Sequence, residues 1–156
     1  MEKFTKHLKI FVFSALGLIF LSFTTFNINE ESRIFIHDFL NKHYDISGQN
    51  EPIKSYELKI TNTGFCRYRK VLSNGKEEFF ALNLARVKAM DYYGSISAGE
   101  LWLRARNDDV IVQTRRDKAG DIDTMATYLS IPLKNIEAEQ LNELSYHLKE
   151  LSQTRN

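Results

Sequence analysis

From Tyr56 to Ile131 the chain falls into short apolar-rich runs with a period near two, parted by turn residues, and no stretch in that span carries a helical stripe. Parallel strands need crossover connections of a dozen or more residues, usually a helix, so a span without one has to build antiparallel sheet. Tyr56–Ile60 alternates apolar and charged side chains. Phe65–Leu72 and Phe79–Leu84 flank Ser73-Asn74-Gly75-Lys76, and Asn-Gly predicts a tight type I′ hairpin. Arg86–Tyr93 comes next, then a turn over Gly94–Gly99. Leu101–Arg106 and Val110–Arg115 are expected to form another hairpin through Asn107-Asp108-Asp109, and Thr124–Ile131 is a last strand stopped by Pro132. The expectation is about seven short strands in a bent antiparallel sheet or half-barrel.

A helix is expected on each side of this sheet, which makes the fold class α+β. Ile34, Phe35, Phe39 and Leu40 give Asn29–Tyr44 a helical period, with Glu30 and Glu31 at its start and Lys42 and His43 at its end. Asp45–Pro52 is a loop. Near the other terminus Ile136, Leu141, Leu144, Leu148 and Leu151 make one apolar stripe, with Asn135 as the expected cap, Glu137 and Glu139 at the positive end of the dipole, and Lys149 and Arg155 towards the other. The stripe either covers an open sheet or serves as a seam between two copies. Strands followed by one C-terminal helix, over residues 55–152, resembles the element order of pleckstrin-homology-like domains. That resemblance implies a fold and no activity, and the additional N-terminal helix departs from it.

Residues 1–26 differ in kind from the remainder. They hold Lys3, Lys6 and Lys9, and six of the chain's 11 phenylalanines. Ile10–Phe23 is uncharged and apolar, followed by Thr24 and Thr25. A basic start and an apolar run of this length match a secretory signal peptide. Without an Ala-x-Ala cleavage pattern the rival is an uncleaved anchor, a membrane tether through residues 8–26 with its lysines on the cytoplasmic side. Either implies export, with residues 27–52 as a helix and loop and residues 53–156 as the sheet with its closing helix. Beyond residue 26, 18 Lys and Arg face 19 Asp and Glu, a balance that speaks against nucleic acid as partner. The one cysteine, Cys66, excludes an internal disulfide framework and is expected to be buried on its strand.

No catalytic set stands out. The histidines beyond the leader are His37, His43 and His147, no serine sits in a Gly-x-Ser-x-Gly elbow, and a Cys66–His147 pair has no local cue. Glu57, Glu77, Glu78, Asp91 and Glu100 offer no evident pair of carboxylates facing across a cleft. Asp117, Asp121 and Asp123 around Gly120 are a weak cation candidate, against the simpler reading of an Asp/Gly turn. No cofactor is expected. The feature that points to a partner is basic. Arg67 and Arg69 share a strand face, as do Arg86 and Lys88, and Arg104 and Arg106 share one with Trp102; Arg115 ends the next strand. Aligned in one sheet, these residues would present a cationic surface with an aromatic ring, suited to an anionic ligand or to the acidic patch of a protein. The plain alternative is the solvated face of an antiparallel sheet. The expectation is therefore a non-enzymatic binding domain, with a membrane-tethered subunit, homodimeric through its last helix, and an enzyme of unfamiliar type as alternatives.

Overall fold

The computed structural model describes residues 29–48 and 51–153, so the expected export signal or anchor lies outside the described residues. The fold is α+β, with two helices and eight antiparallel strands in two sheets, where sequence indicated about seven strands. Helix α1 (Glu30–His43) precedes β1 (Ile53–Ile60), β2 (Phe65–Leu72) and β3 (Glu77–Asn83). Then come β4 (Val87–Gly94), β5 (Gly99–Ala105), β6 (Val110–Arg115), β7 (Asp123–Ala126), β8 (Tyr128–Leu133) and helix α2 (Ala138–Gln153). One sheet has the order β1-β2-β3-β6-β7 and the other β4-β5-β8.

The two sheets are related by continuity of chain. Strand β3 runs through a single 3-10 turn, Leu84–Arg86, into β4, and β7 runs through Thr127 into β8. Strand β5 reaches β6 through Arg106–Asp109. Because β3 pairs with β6 and β4 with β5, while β6 pairs with β7 and β5 with β8, the connectivity is a meander of five long strands with an interrupted ladder. The interruptions are neighbours: Ala105 N donates to Thr127 O at 2.8 Å and Arg106 N to Arg86 O at 3.0 Å.

This overturns the second expected hairpin. Asn107-Asp108-Asp109 does not fold β6 back on β5; it carries the chain from one sheet to the other. Clustered Asn and Asp mark a change of direction without specifying which strands pair afterwards. The expected strand Thr124–Ile131 is likewise divided at Thr127, and it continues past Pro132. Pro132 is tolerated because its carbonyl accepts from Asp45 N at 3.0 Å, so its backbone faces away from β5 and no ladder bond is lost. The first hairpin is present with a different turn. Only Gly75 takes a left-handed angle (φ 89°), and its N–H donates to Leu72 O at 3.0 Å, which describes a tight turn ending in a glycine rather than type I′.

Both helices lie where the apolar periods placed them, and they are fixed by side-chain caps. Asn29 accepts from Ser32 N at the start of α1. At α2 the cap is not Asn135, which adopts φ 55° in the preceding turn; instead the Gln140 side chain accepts from Glu137 N at 2.9 Å. Ile36 and Leu40 of α1 and Leu144, Leu148 and Leu151 of α2 are buried with Leu58, Cys66, Tyr68, Leu82, Leu101, Leu103, Leu129 and Ile131 of the sheets. The leucine stripe of α2 is thus turned into the core of its own chain.

Helix α1 also closes sheet margins. Arg33 donates to Ile60 O at 3.1 Å and Asn41 to Leu58 O at 3.0 Å, occupying the outer carbonyls of β1. The residues that end α1 meet the outer margin of β8: Tyr44 bridges Leu133, and Lys134 N donates to His43 O at 2.8 Å. Unpaired strand edges recruit other chains, so such covers have a protective value.

Candidate functional site

Alternation along β2 buries Cys66 and Tyr68 and turns Arg67 and Arg69 outward. Pairing then sets their neighbours. One cross-strand row of the outer face reads Lys59, Arg67, Ala81, Ile111, Met125, and the next reads Glu57, Arg69, Phe79, Gln113, Asp123. Ala81 is the smallest side chain in its row, and a depression of about 370 Å³ opens there, lined by Arg67, Arg69, Phe79, Ala81, Ile111 and Gln113 among others. The Phe79 ring lies between two guanidinium groups, with Arg69 and Arg115 each 5.4 Å from its centroid.

The cations of this face are not equally committed. Arg69 is paired with Glu77 at 2.7 Å, and Glu77 also takes Arg116 at 2.8 Å. The hydrogen bond from Arg69 holds the Glu77 carboxyl below the usual carboxylate range. Lys59 is paired with Glu57. Among the described residues Arg67 has no ion pair, and Arg115 lies over the Phe79 ring. Arg67 is therefore a solvent-facing guanidinium beside an apolar floor.

Trp102 and Arg104 point outward from β5, on the three-stranded sheet. Trp102 stacks on Tyr128 (4.2 Å, 11°) and meets the edge of Tyr93 (4.9 Å), and its indole N–H donates to Glu100 at 2.9 Å. Arg104 donates to Asp91 at 2.5 Å and to the Tyr93 hydroxyl at 3.0 Å, with its guanidinium 5.1 Å from the Trp102 ring. Two of the donors of this arginine are thus held by its own sheet. Arg86 ends the 3-10 turn, Lys88 is exposed on β4, and Arg106 begins the loop to β6. The seven sequence-predicted residues fall into three places rather than one, because the two-residue period does not continue across the interruptions between sheets. Arg67 and Arg69 stay together; of the others only Arg104 accompanies Trp102.

The remaining candidates are engaged in local structure. Asp117 pairs with Lys76 at 2.9 Å and accepts from Ala119 N, while Asp121 accepts from Asp117 N, so two of the three aspartates hold their own turn. Among the described residues no three His, Cys, Asp or Glu side chains converge to hold a metal ion. Cys66 is fully buried and desolvation pushes its thiol up to about 12, far from a reactive thiolate. His147 is bonded instead to Ser32, whose hydroxyl lies 2.9 Å from Nδ1, and it stacks on Phe35 at 4.1 Å. Ser32 is 1% exposed and His147 half-buried, so the pair is a partly buried bond that ties the two helices together. Sequence reading missed Phe79 as the centre of the basic face; the adjacent rings Phe79-Phe80 gave no sign of which one faces outward.

Compared with known families, curated proteins and solved structures, the chain matches none. Among the described residues no helix is long and apolar enough to cross a membrane. Any functional reading rests on these surfaces.

Proposed function

We propose that the protein is a small exported, non-enzymatic binding domain that takes anionic groups on the outer face of its five-stranded sheet. The observation that carries this is Arg67, solvent-facing and without an ion pair among the described residues, at the wall of the Ala81 depression and next to the Arg69–Phe79–Arg115 stack. A guanidinium offers five donors in a planar fork matched to carboxylate and phosphate oxygens. The apolar floor of Phe79, Ala81 and Ile111 favours anions that carry hydrocarbon over bare inorganic ions. Trp102, bonded to Glu100, and Arg104, bonded to Asp91 and Tyr93, are left to stabilise their own sheet.

Export rests on the basic and apolar residues 1–26, and a tether through residues 8–26 is the variant in which that segment is kept. The reading of the two sheets as a half-barrel of pleckstrin-homology-like order rests on strands followed by one helix over residues 53–153. Co-sedimentation with phosphatidylglycerol and phosphatidylcholine vesicles tests the binding face. Retention on the anionic vesicles that Arg67→Glu abolishes supports it, and equal retention of the parent and Arg67→Glu removes this face from the account. The mass of the N-terminus in exported material distinguishes release from tethering.

A further inference from the structure

Helices α1 and α2 leave between them a groove of about 830 Å³, separate from the sheet face. Its wall is apolar: Phe35 and Phe39 line it, with Ile34 46% exposed beside them. Its rim is acidic. Glu31, Asp38 and Glu143 contribute three carboxylates against a single cation, Lys42, and among the described residues none of the four has an ion pair. These α1 positions recur at helical spacing, so the acids and the apolar residues belong to one face of the helix.

His43, also in the lining, adds the polar group that narrows the ligand chemistry. It is 5% exposed, and its Nδ1 lies 3.0 Å from the carbonyl oxygen of Lys134. A carbonyl only accepts, so Nδ1 carries the hydrogen, and Nε2 of the neutral ring is a bare acceptor. That Nε2 is buried with no hydrogen-bond partner. A buried acceptor left unmatched carries a desolvation penalty, which a donor arriving with a ligand removes.

We propose that this groove binds a small amphiphilic amine: an aliphatic or aromatic body lying on Ile34, Phe35 and Phe39, with a protonated amino group donating to His43 Nε2 and compensated by the rim carboxylates. Carboxylates and phosphates are repelled by the same rim. A quaternary ammonium satisfies the charge but brings no N–H.

Nuclear magnetic resonance of the full-length chain, with nitrogen-labelled histidine, tests this with three soluble probes: octylamine, octyltrimethylammonium and octanoate. Octylamine should shift His43 Nε2 and the Phe35 and Phe39 ring signals saturably. Octyltrimethylammonium should bind about tenfold more weakly, the size of one lost charge-assisted hydrogen bond, and leave Nε2 unshifted. Octanoate should not bind. Asp38→Lys, on an exposed helical position, should invert the preference between octylamine and octanoate without touching His43. The proposal is overturned if octylamine leaves Nε2 in place, if all three probes move the ring signals equally, or if Asp38→Lys leaves the preference unchanged.

Discussion

Arg67→Glu and Arg104→Glu change the net charge identically, from +1 to −1, yet the two arginines occupy different electrostatic situations. Arg67 is without an ion pair beside the Ala81 depression, whereas Arg104 is bonded to Asp91 and Tyr93. A basic side chain near an anionic lipid surface contributes about 1 kcal/mol, so removing one and installing an acid costs about 2 kcal/mol, a fall of about thirtyfold in partitioning. That is the expected result for Arg67→Glu on phosphatidylglycerol vesicles in about 0.1 M salt, where the screening length is about 10 Å. Arg104→Glu should leave partitioning within about twofold of the parent, because it lies on the three-stranded sheet and not on the proposed binding face. It should instead lower the urea midpoint, since a glutamate there faces Asp91. Co-sedimentation over a series of lipid concentrations reads the partition coefficient, and circular dichroism the midpoint. Equal losses of binding in both variants would show that retention follows overall charge, and the Arg67 face would lose its special standing.

Four further outcomes follow from the core and its ion pairs. Tyr44 and Tyr68 share a buried hydroxyl–hydroxyl bond of 2.6 Å, and Tyr68→Phe should cost about 1–3 kcal/mol in urea unfolding by stranding its partner, with the double phenylalanine variant costing less than the two single losses combined. Burial pushes the Tyr44 phenol from 10.0 up to about 12, so its contribution is complete below pH 10 and is lost as pH rises towards 12; Tyr44→Phe should flatten that alkaline limb. Leu144 is fully buried where α2 meets the sheets, and Leu144→Ala should cost about 2–5 kcal/mol by calorimetry or urea titration. Glu78 is partly buried, which raises its carboxyl, but Lys70 at 2.7 Å and Lys76 at 3.1 Å outweigh this and hold it below 4.5; its stabilisation is present above that value and lost as pH falls through the lowered one, so Glu78→Gln should make acid unfolding less steep.

Local chemistry made much of the fold legible. The helical periods of Ile34–Leu40 and Leu144–Leu151, and the alternation along β2, depend on the chain's own sequence neighbours, and the elements they predict are present, with Ile36 buried and Ile34 left exposed. What sequence does not encode locally is partnership. Asn107-Asp108-Asp109 reads the same whether it closes a hairpin or passes the chain to a second sheet, and Thr127 carries none of the glycine or proline that marks a break. The same gap divided the basic residues: the face shared by Arg67 and Arg69 follows from period alone, but bringing Arg86, Lys88 and Arg106 to it required a continuous ladder. His43 was visible as a residue suited to a helix end. Its orphaned nitrogen emerges only when Lys134, 91 positions away, takes the other one.

Helix α1 is commonly the kind of element that is judged by the heat it adds to a melting curve. Its side chains and final residues here cover the outer margins of β1 and β8, and its Ser32 ties it to α2 through His147. A lesion that melts α1 alone would bare two hydrogen-bonding borders at once while leaving the strands themselves intact. The expected phenotype is ordered aggregation at temperatures where most of the secondary structure persists. Colloidal behaviour, more than the unfolding midpoint, would be the sensitive gauge of damage to this helix.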